Sequence, residues 1–114
     1  MHPYKRSKRV KDLIREEVTD IILHKLKDPR LGFITITDTE ITEDLKLAKV
    51  YVSVLKKKDS EVVLKILNSA RGFIKRELSS IVRLKHMPEL EFFEDHSIDY
   101  ANRIESLIKQ TKGE

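Results

Sequence analysis

The chain alternates between two hydrophobic periods, and the places where they change mark its elements. From about Ser7 to Lys27, apolar residues fall at Val10, Leu13, Ile14, Val18, Ile21, Ile22 and Leu26, the spacing of one helix face. Ser7 is placed to accept from the first-turn amides as N-cap. Asp28-Pro29 stops the helix, because the residue before proline is driven out of the α region, and Gly32 then permits a turn. From Phe33 to Asp38 the period drops to two, with Ile34 and Ile36 on one face and Phe33, Thr35 and Thr37 on the other. After the polar turn Thr42-Glu43-Asp44, a second strand runs from about Lys46 to Lys56. It sets Ala48, Val50, Val52 and Val54 against Lys49, Tyr51 and Ser53. The pair reads as antiparallel with one covered face.

Lys56-Lys57-Lys58-Asp59-Ser60 is a turn in which Asp59 or Ser60 is available to cap the next helix. Val63, Ile66, Leu67 and Ala70 share a helical face, Gly72 interrupts it, and Ile74, Leu78, Ile81 and Val82 resume it. Glycine inside a helix costs about 1 kcal/mol relative to alanine, so the spacing predicts two helices meeting at an angle near Ser69-Ala70-Arg71-Gly72. Met87-Pro88 ends that segment. Glu89 to Glu94, with Leu90 and Phe92 on one face, is a short third strand. Asp95 or Ser97 is a start signal for a C-terminal helix marked by Tyr100, Ile104, Leu107 and Ile108. The class is therefore α+β, a three-stranded sheet with helices packed on it. Residues 1–114 read as a single domain whose ends, 1–6 and 110–114, are expected to be flexible.

Composition narrows the chemistry. The absence of cysteine excludes disulfides, thiol catalysis and thiolate metal sites. Apolar runs of three residues, such as Ile21-Ile22-Leu23, are far below the roughly 18 needed to span a bilayer, so no membrane segment is expected. The basic start, Met1 to Arg9, is not followed by the apolar stretch of a secretory signal, and the expected compartment is the cytoplasm. His2, His24, His86 and His96 lack metal-ligand spacing. Asp95, His96 and Asp99 form the densest polar cluster, better explained as a helix start than as an acid–base or metal site. There is no glycine-rich phosphate loop and no serine in a nucleophile-elbow context. No enzymatic activity, cofactor or small-molecule substrate is expected.

Charge is uneven. Residues 1–30 carry nine Lys/Arg and five Asp/Glu, and residues 65–86 carry six and one, while residues 87–114 carry three and seven. Two basic segments suit a nucleic-acid backbone, whose binding is driven by counterion release, but they also suit solvated helix faces. Charge alone leaves both readings open.

Several stretches resemble the ribosome-binding factor A family when taken together. They are Arg9-Val10 through Ile14 with Glu17, then Asp28-Pro29-Arg30 with Gly32, then Ala48-Lys49-Val50-Tyr51-Val52-Ser53. Ala70-Arg71-Gly72-Phe73-Ile74-Lys75-Arg76-Glu77-Leu78, Arg83-Leu84, Pro88-Glu89-Leu90 with Phe92, and Asp95 with Ser97 complete the set. The resemblance spans about Arg6 to Ile108. It implies a type II KH-like fold, α-β-β-α-α-β plus a C-terminal helix. An ordinary KH module clamps nucleic acid with a GXXG loop. Here Ser69, Ala70 and Gly72 instead match the family's Ala-x-Gly helix kink. The implied role is non-catalytic: binding free small (30S) ribosomal subunits or their precursors near the decoding region and neck, and assisting 16S rRNA processing and maturation, including at low temperature. The implied protein is a monomer whose partners are the small subunit and 16S rRNA. A protein–protein adaptor of the translation machinery, or a generic KH-like RNA-binding module, is the alternative.

The candidate RNA contacts fall in two groups. Lys75, Arg76 and Arg83 share a helix face with Gly72, Ser79 and His86, separate from the apolar arc, and Arg71 and Lys85 flank it. Arginine grips phosphate with two parallel donors, and lysine acts as a point charge. Lys5, Arg6, Lys8 and Arg9 form a basic segment of the kind often found as a disordered arm. Lys56-Lys57-Lys58 and Arg30 are weaker candidates, Arg30 being equally suited to pairing with Asp28. Phe33, Tyr51, Phe73, Phe92 and Phe93 are expected in or over the core, which leaves backbone and shape contacts rather than base-by-base readout.

Overall fold

The first helix, α1, runs from Pro3 to Ile21 and so starts four residues before the expected Ser7 cap. Proline suits a first helical turn because its φ is preset and it has no N–H to leave unpaired. The backbone of Pro3–Arg6 is thus helical where an arm was expected. Ile14, Val18, Ile21 and Ile22 are buried, whereas Leu13, assigned to the same stripe, is 40% exposed. A π turn, Ile22–Leu26, closes the helix, with Lys27 at φ 47° donating its N–H to Ile22 O. Asp28 then caps a short 3₁₀ turn, Pro29–Leu31, through the Arg30 N–H, and Gly32 at φ 60° redirects the chain. The computed structural model describes residues 3–96, with side chains from residue 8 onward. The C-terminal helix expected around Tyr100–Ile108, with its Ser97 cap, lies outside the described residues.

Strands β1 (Ile34–Ile41) and β2 (Leu47–Val54) pair antiparallel. In β2 every second residue, Ala48, Val50, Val52 and Val54, is buried, as the alternation predicts. Strand β1 extends beyond the expected Asp38 by means of a bulge: Ile36 faces Val52, but Asp38 faces Tyr51, leaving Thr37 as the extra residue. An extra residue reverses which side chains point inward. Ile34 and Ile36 face the core before the bulge, and Thr39 and Ile41 after it. Thr39 is consequently 1% exposed, and its hydroxyl is buried without a hydrogen-bond partner. Thr37 Oγ1 bridges the sheet by donating to Asp95 Oδ2 at 2.6 Å.

A 3₁₀ turn, Lys57–Asp59, leads into α2 (Ser60–Ser69), followed by α3 (Arg71–Ile81) and β3 (Glu89–Glu94). No side chain caps α2, so neither Asp59 nor Ser60 fills the expected role. Ser60 Oγ instead lies within hydrogen-bond distance of Lys57 O and Glu94. The break between the two helices falls at Ala70 (φ −91°, ψ 2°), one residue after Ser69. Helix α3 stops at Ile81 because Val82 adopts an extended backbone while keeping its side chain in the core. The helical face assumed to reach His86 therefore ends early. Ile74 and Leu78 are fully buried, but Ile81 is 43% exposed, since the helix terminates before that position meets the sheet.

The sheet order is β1-β2-β3, with β3 parallel to β2 across the α2–α3 crossover. Helices α1, α2 and α3 pack against it, and Ile14, Val18, Val50, Val52, Leu67, Leu78, Leu90 and Phe92 belong to one continuous core. Each such side chain contributes about 1.5–3 kcal/mol by burial. The order α-β-β-α-α-β is the one the type II KH-like reading requires. Phe33 departs from expectation: it is 82% exposed. It precedes the first residue of β1 and pairs with Leu55, beyond the last residue of β2, where the core has ended.

Candidate nucleic-acid interface

The kink brings the basic residues of α3 to the surface at its start. Arg71 is the first residue of α3, and Arg71, Gly72 and Arg76 are exposed, while Ile74 and Leu78 anchor the opposite side in the core. No side chain caps this helix, and its start sets the positive end of the helix dipole beside Arg71. A Cβ built at Gly72 meets nothing within 4 Å, and its φ is not positive. Gly72 is therefore not demanded by close packing of a neighbour. Its lack of a side chain leaves open space on the outer surface.

Arg83 and Lys85 are exposed on the connection between α3 and β3 rather than on the helix itself, because Val82 breaks the helix. Lys75 is half-buried, and its ammonium is paired with the Glu89 carboxylate at the start of β3. Lys25 of the π turn likewise reaches Glu77 of α3 at 3.1 Å, tying the end of the first helix to the basic face. Among the described residues, Arg71, Arg76, Arg83 and Lys85 have no ion-pair partner. These four are the cations of this face that the fold leaves available. The two carboxylates that reach this face, Glu77 and Glu89, were not singled out from the sequence. Helical spacing marks Glu77 as near the basic residues, but no local pattern connects Glu89 to Lys75.

Lys8 and Arg9 are exposed on α1, which also carries Lys5 and Arg6 in its first turns. At about 1.5 Å per residue, Lys8 lies roughly 25 Å along the helix from the Lys25 contact with α3. The N-terminal cluster is thus well removed from the place where this helix touches the basic face.

The outer sheet surface is a different environment. Tyr51 and Phe93 lie against each other with ring centroids 6.0 Å apart. The Tyr51 hydroxyl donates to Glu40 Oε2 at 3.0 Å. Burial, then the Glu40 bond and the charges of Asp38 and Asp95, push the phenol above its usual value. The carboxylates of Asp38, Glu40 and Asp95 make the surroundings of this ring pair a poor platform for phosphate. Arg30 is held by Asp28 through a bidentate pair, with Nη2 to Oδ2 at 2.6 Å. That side-chain bond holds the Asp28 carboxyl below its ordinary value and raises the guanidinium.

The described residues contain no group of three or more side chains placed to hold a metal ion. No helix among them is long and apolar enough to cross a membrane.

Comparison with known proteins agrees with this fold. The model of the family described as ribosome-binding factor A matches residues 6–108. A ribosome-binding factor A from Thermodesulfovibrio yellowstonii is 54% identical over 112 residues, covering 98% of this chain and 95% of its own. The crystal structure of ribosome-binding factor A from Thermus thermophilus superposes with a TM-score of 0.71 at 25% identity, covering 77% of this chain and 94% of that one. A homology model of the Thermus thermophilus factor, fitted into a cryo-electron-microscopy map of a complex with the 30S subunit, superposes with a TM-score of 0.60 at 26% identity, covering 80% of this chain and 92% of that one.

Proposed function

Because this chain belongs to the ribosome-binding factor A family, we propose that it binds the small (30S) ribosomal subunit or its precursors and assists maturation of 16S rRNA, including at low temperature, without catalysing a reaction. The observation that carries this reading is the set of unpaired cations around the start and end of α3, Arg71, Arg76, Arg83 and Lys85, beside the open surface at Gly72. Such a surface suits an RNA backbone: arginines grip phosphates, the helix start adds the positive end of its dipole, and a missing Cβ permits close approach. Lys75 contributes after exchanging Glu89 for phosphate, and Lys5, Arg6, Lys8 and Arg9 form a second contact on α1. The contacts at these two surfaces are to backbone and shape, consistent with the absence of a GXXG clamp.

Co-sedimentation of the purified protein with separated small subunits, large subunits and joined ribosomes tests this. Retention on free small subunits, weakening as salt rises, is the expected result. Absence from the small-subunit fraction at low salt overturns it.

A further inference from the structure

At the end of the molecule formed by the turn after α1 and the turn after β2, the most exposed aromatic ring in the described chain stands at the mouth of a cleft. Phe33 is 82% exposed and Leu55, beside it, 71%. They are fixed to one another by the Leu55 N–H donating to Phe33 O at 3.1 Å. The cleft, about 310 Å³, is lined by Arg30, Leu31, Phe33, Leu55 and Lys56, with one carboxylate, Asp59, at its edge. Its Arg30 guanidinium is paired bidentately with Asp28. The run Lys56-Lys57-Lys58 follows immediately, with Lys56 and Lys58 exposed and Lys57 paired with Glu94 at 3.8 Å.

We propose that this cleft receives one unpaired RNA nucleotide, its base stacked on the Phe33 ring or between Phe33 and the Arg30 plane, its phosphates held by Lys56 and Lys58. The inference rests on the proposed ribosomal role and adds to it a base-contacting site on a different part of the fold from the α3 surface. Unstacked bases are recognised by aromatic rings and guanidinium planes, which are the two flat groups present here. An exposed apolar side chain alone would equally suit a protein partner. The exposed Lys56 and Lys58 favour an anionic ligand, and the flat face of the Asp28-paired guanidinium favours a planar one.

The test uses the whole chain and isolated small subunits. Phe33→Ala and Phe33→Leu are expected to weaken binding about five- to a hundredfold, and Phe33→Trp to retain it, because stacking needs a flat ring rather than apolar bulk. Phe33 is too exposed for these changes to unfold the protein, and an unchanged melting temperature checks that. Benzoyl-phenylalanine placed at position 33 is expected to cross-link to an rRNA nucleotide. Equal binding by the Leu variant, or cross-linking to ribosomal protein only, overturns the proposal while leaving the α3 reading intact. Failure of the unsubstituted protein to bind small subunits removes both.

Discussion

The side-chain amide of Asn68 completes the outer edge of the sheet at Phe92: its Nδ2 donates to Phe92 O at 3.2 Å, and its Oδ1 accepts from Phe92 N at 2.9 Å. Among the described residues, strand β3 has a strand neighbour, β2, on one side only, so the outward N–H and C=O of Phe92 are left to the Asn68 amide. Phe92 itself is 2% exposed and packs in the core. One residue of α2 thus fixes the helix to the strand and protects an edge.

Asn68→Ala is accordingly expected to destabilise the fold by about 1–3 kcal/mol, the cost of leaving buried backbone groups unpaired. Urea denaturation followed by circular dichroism measures it. A loss below roughly 0.5 kcal/mol would mean that water replaces the amide at no cost.

The hydroxyl of Thr39 presents the opposite case, a buried polar atom without a partner. Thr39→Val keeps the shape and removes that hydroxyl, and is expected to stabilise by about 1 kcal/mol. A lower melting temperature would show that the hydroxyl is satisfied after all.

Gly72→Ala should separate folding from binding. With no atom near the added methyl group and a helical backbone, it is expected to stabilise the fold by up to about 1 kcal/mol. If RNA approaches closely there, the same variant binds small subunits more weakly. Unchanged binding would remove Gly72 from the interface.

The salt dependence of binding distinguishes the paired lysine from the unpaired arginines. Replacing Arg71, Arg76 and Arg83 together by alanine is expected to lower the slope of log affinity against log salt by about two to three, roughly 0.7–0.9 per lost phosphate contact. Lys75→Ala alone should change it by less than the roughly 0.7–0.9 of one phosphate contact, because that lysine is engaged with Glu89. A larger effect from Lys75 than from the arginines would invert the assignment.

Acid should loosen two turns. Thr42 Oγ1 and the Lys46 N–H hold the Asp44 carboxyl below its ordinary value, and the Arg30 side chain does the same for Asp28. A carboxyl depressed in the folded state contributes stability that is complete above the unfolded value, near pH 4, and lost as pH falls through the lower folded value. The urea midpoint is therefore expected to fall below about pH 4, and less steeply in an Asp28→Asn, Asp44→Asn double variant. Identical profiles would assign the acid response to other groups.

The sequence by itself determined the order of elements, the alternation in β2, the span of β3 and the break between α2 and α3. Each depends on residues two to four positions apart, or on a local stop such as Asp28-Pro29, and those relationships survive whatever the rest of the chain does. It also marked the α3 basic residues as lying off the apolar arc. Only the tertiary structure decided which of those cations remain available. Lys75 meets Glu89 and Lys25 meets Glu77 because the chain path brings distant elements together. It also decided the bulge at Thr37, which turns Thr39 into the core, and the end of α3 at Ile81, set by Val82 entering the core as the chain turns toward β3. Phe33 shows the same division. An aromatic residue beside a strand reads as core, yet a ring is buried only where another layer covers it, and at the end of this sheet the cover has stopped.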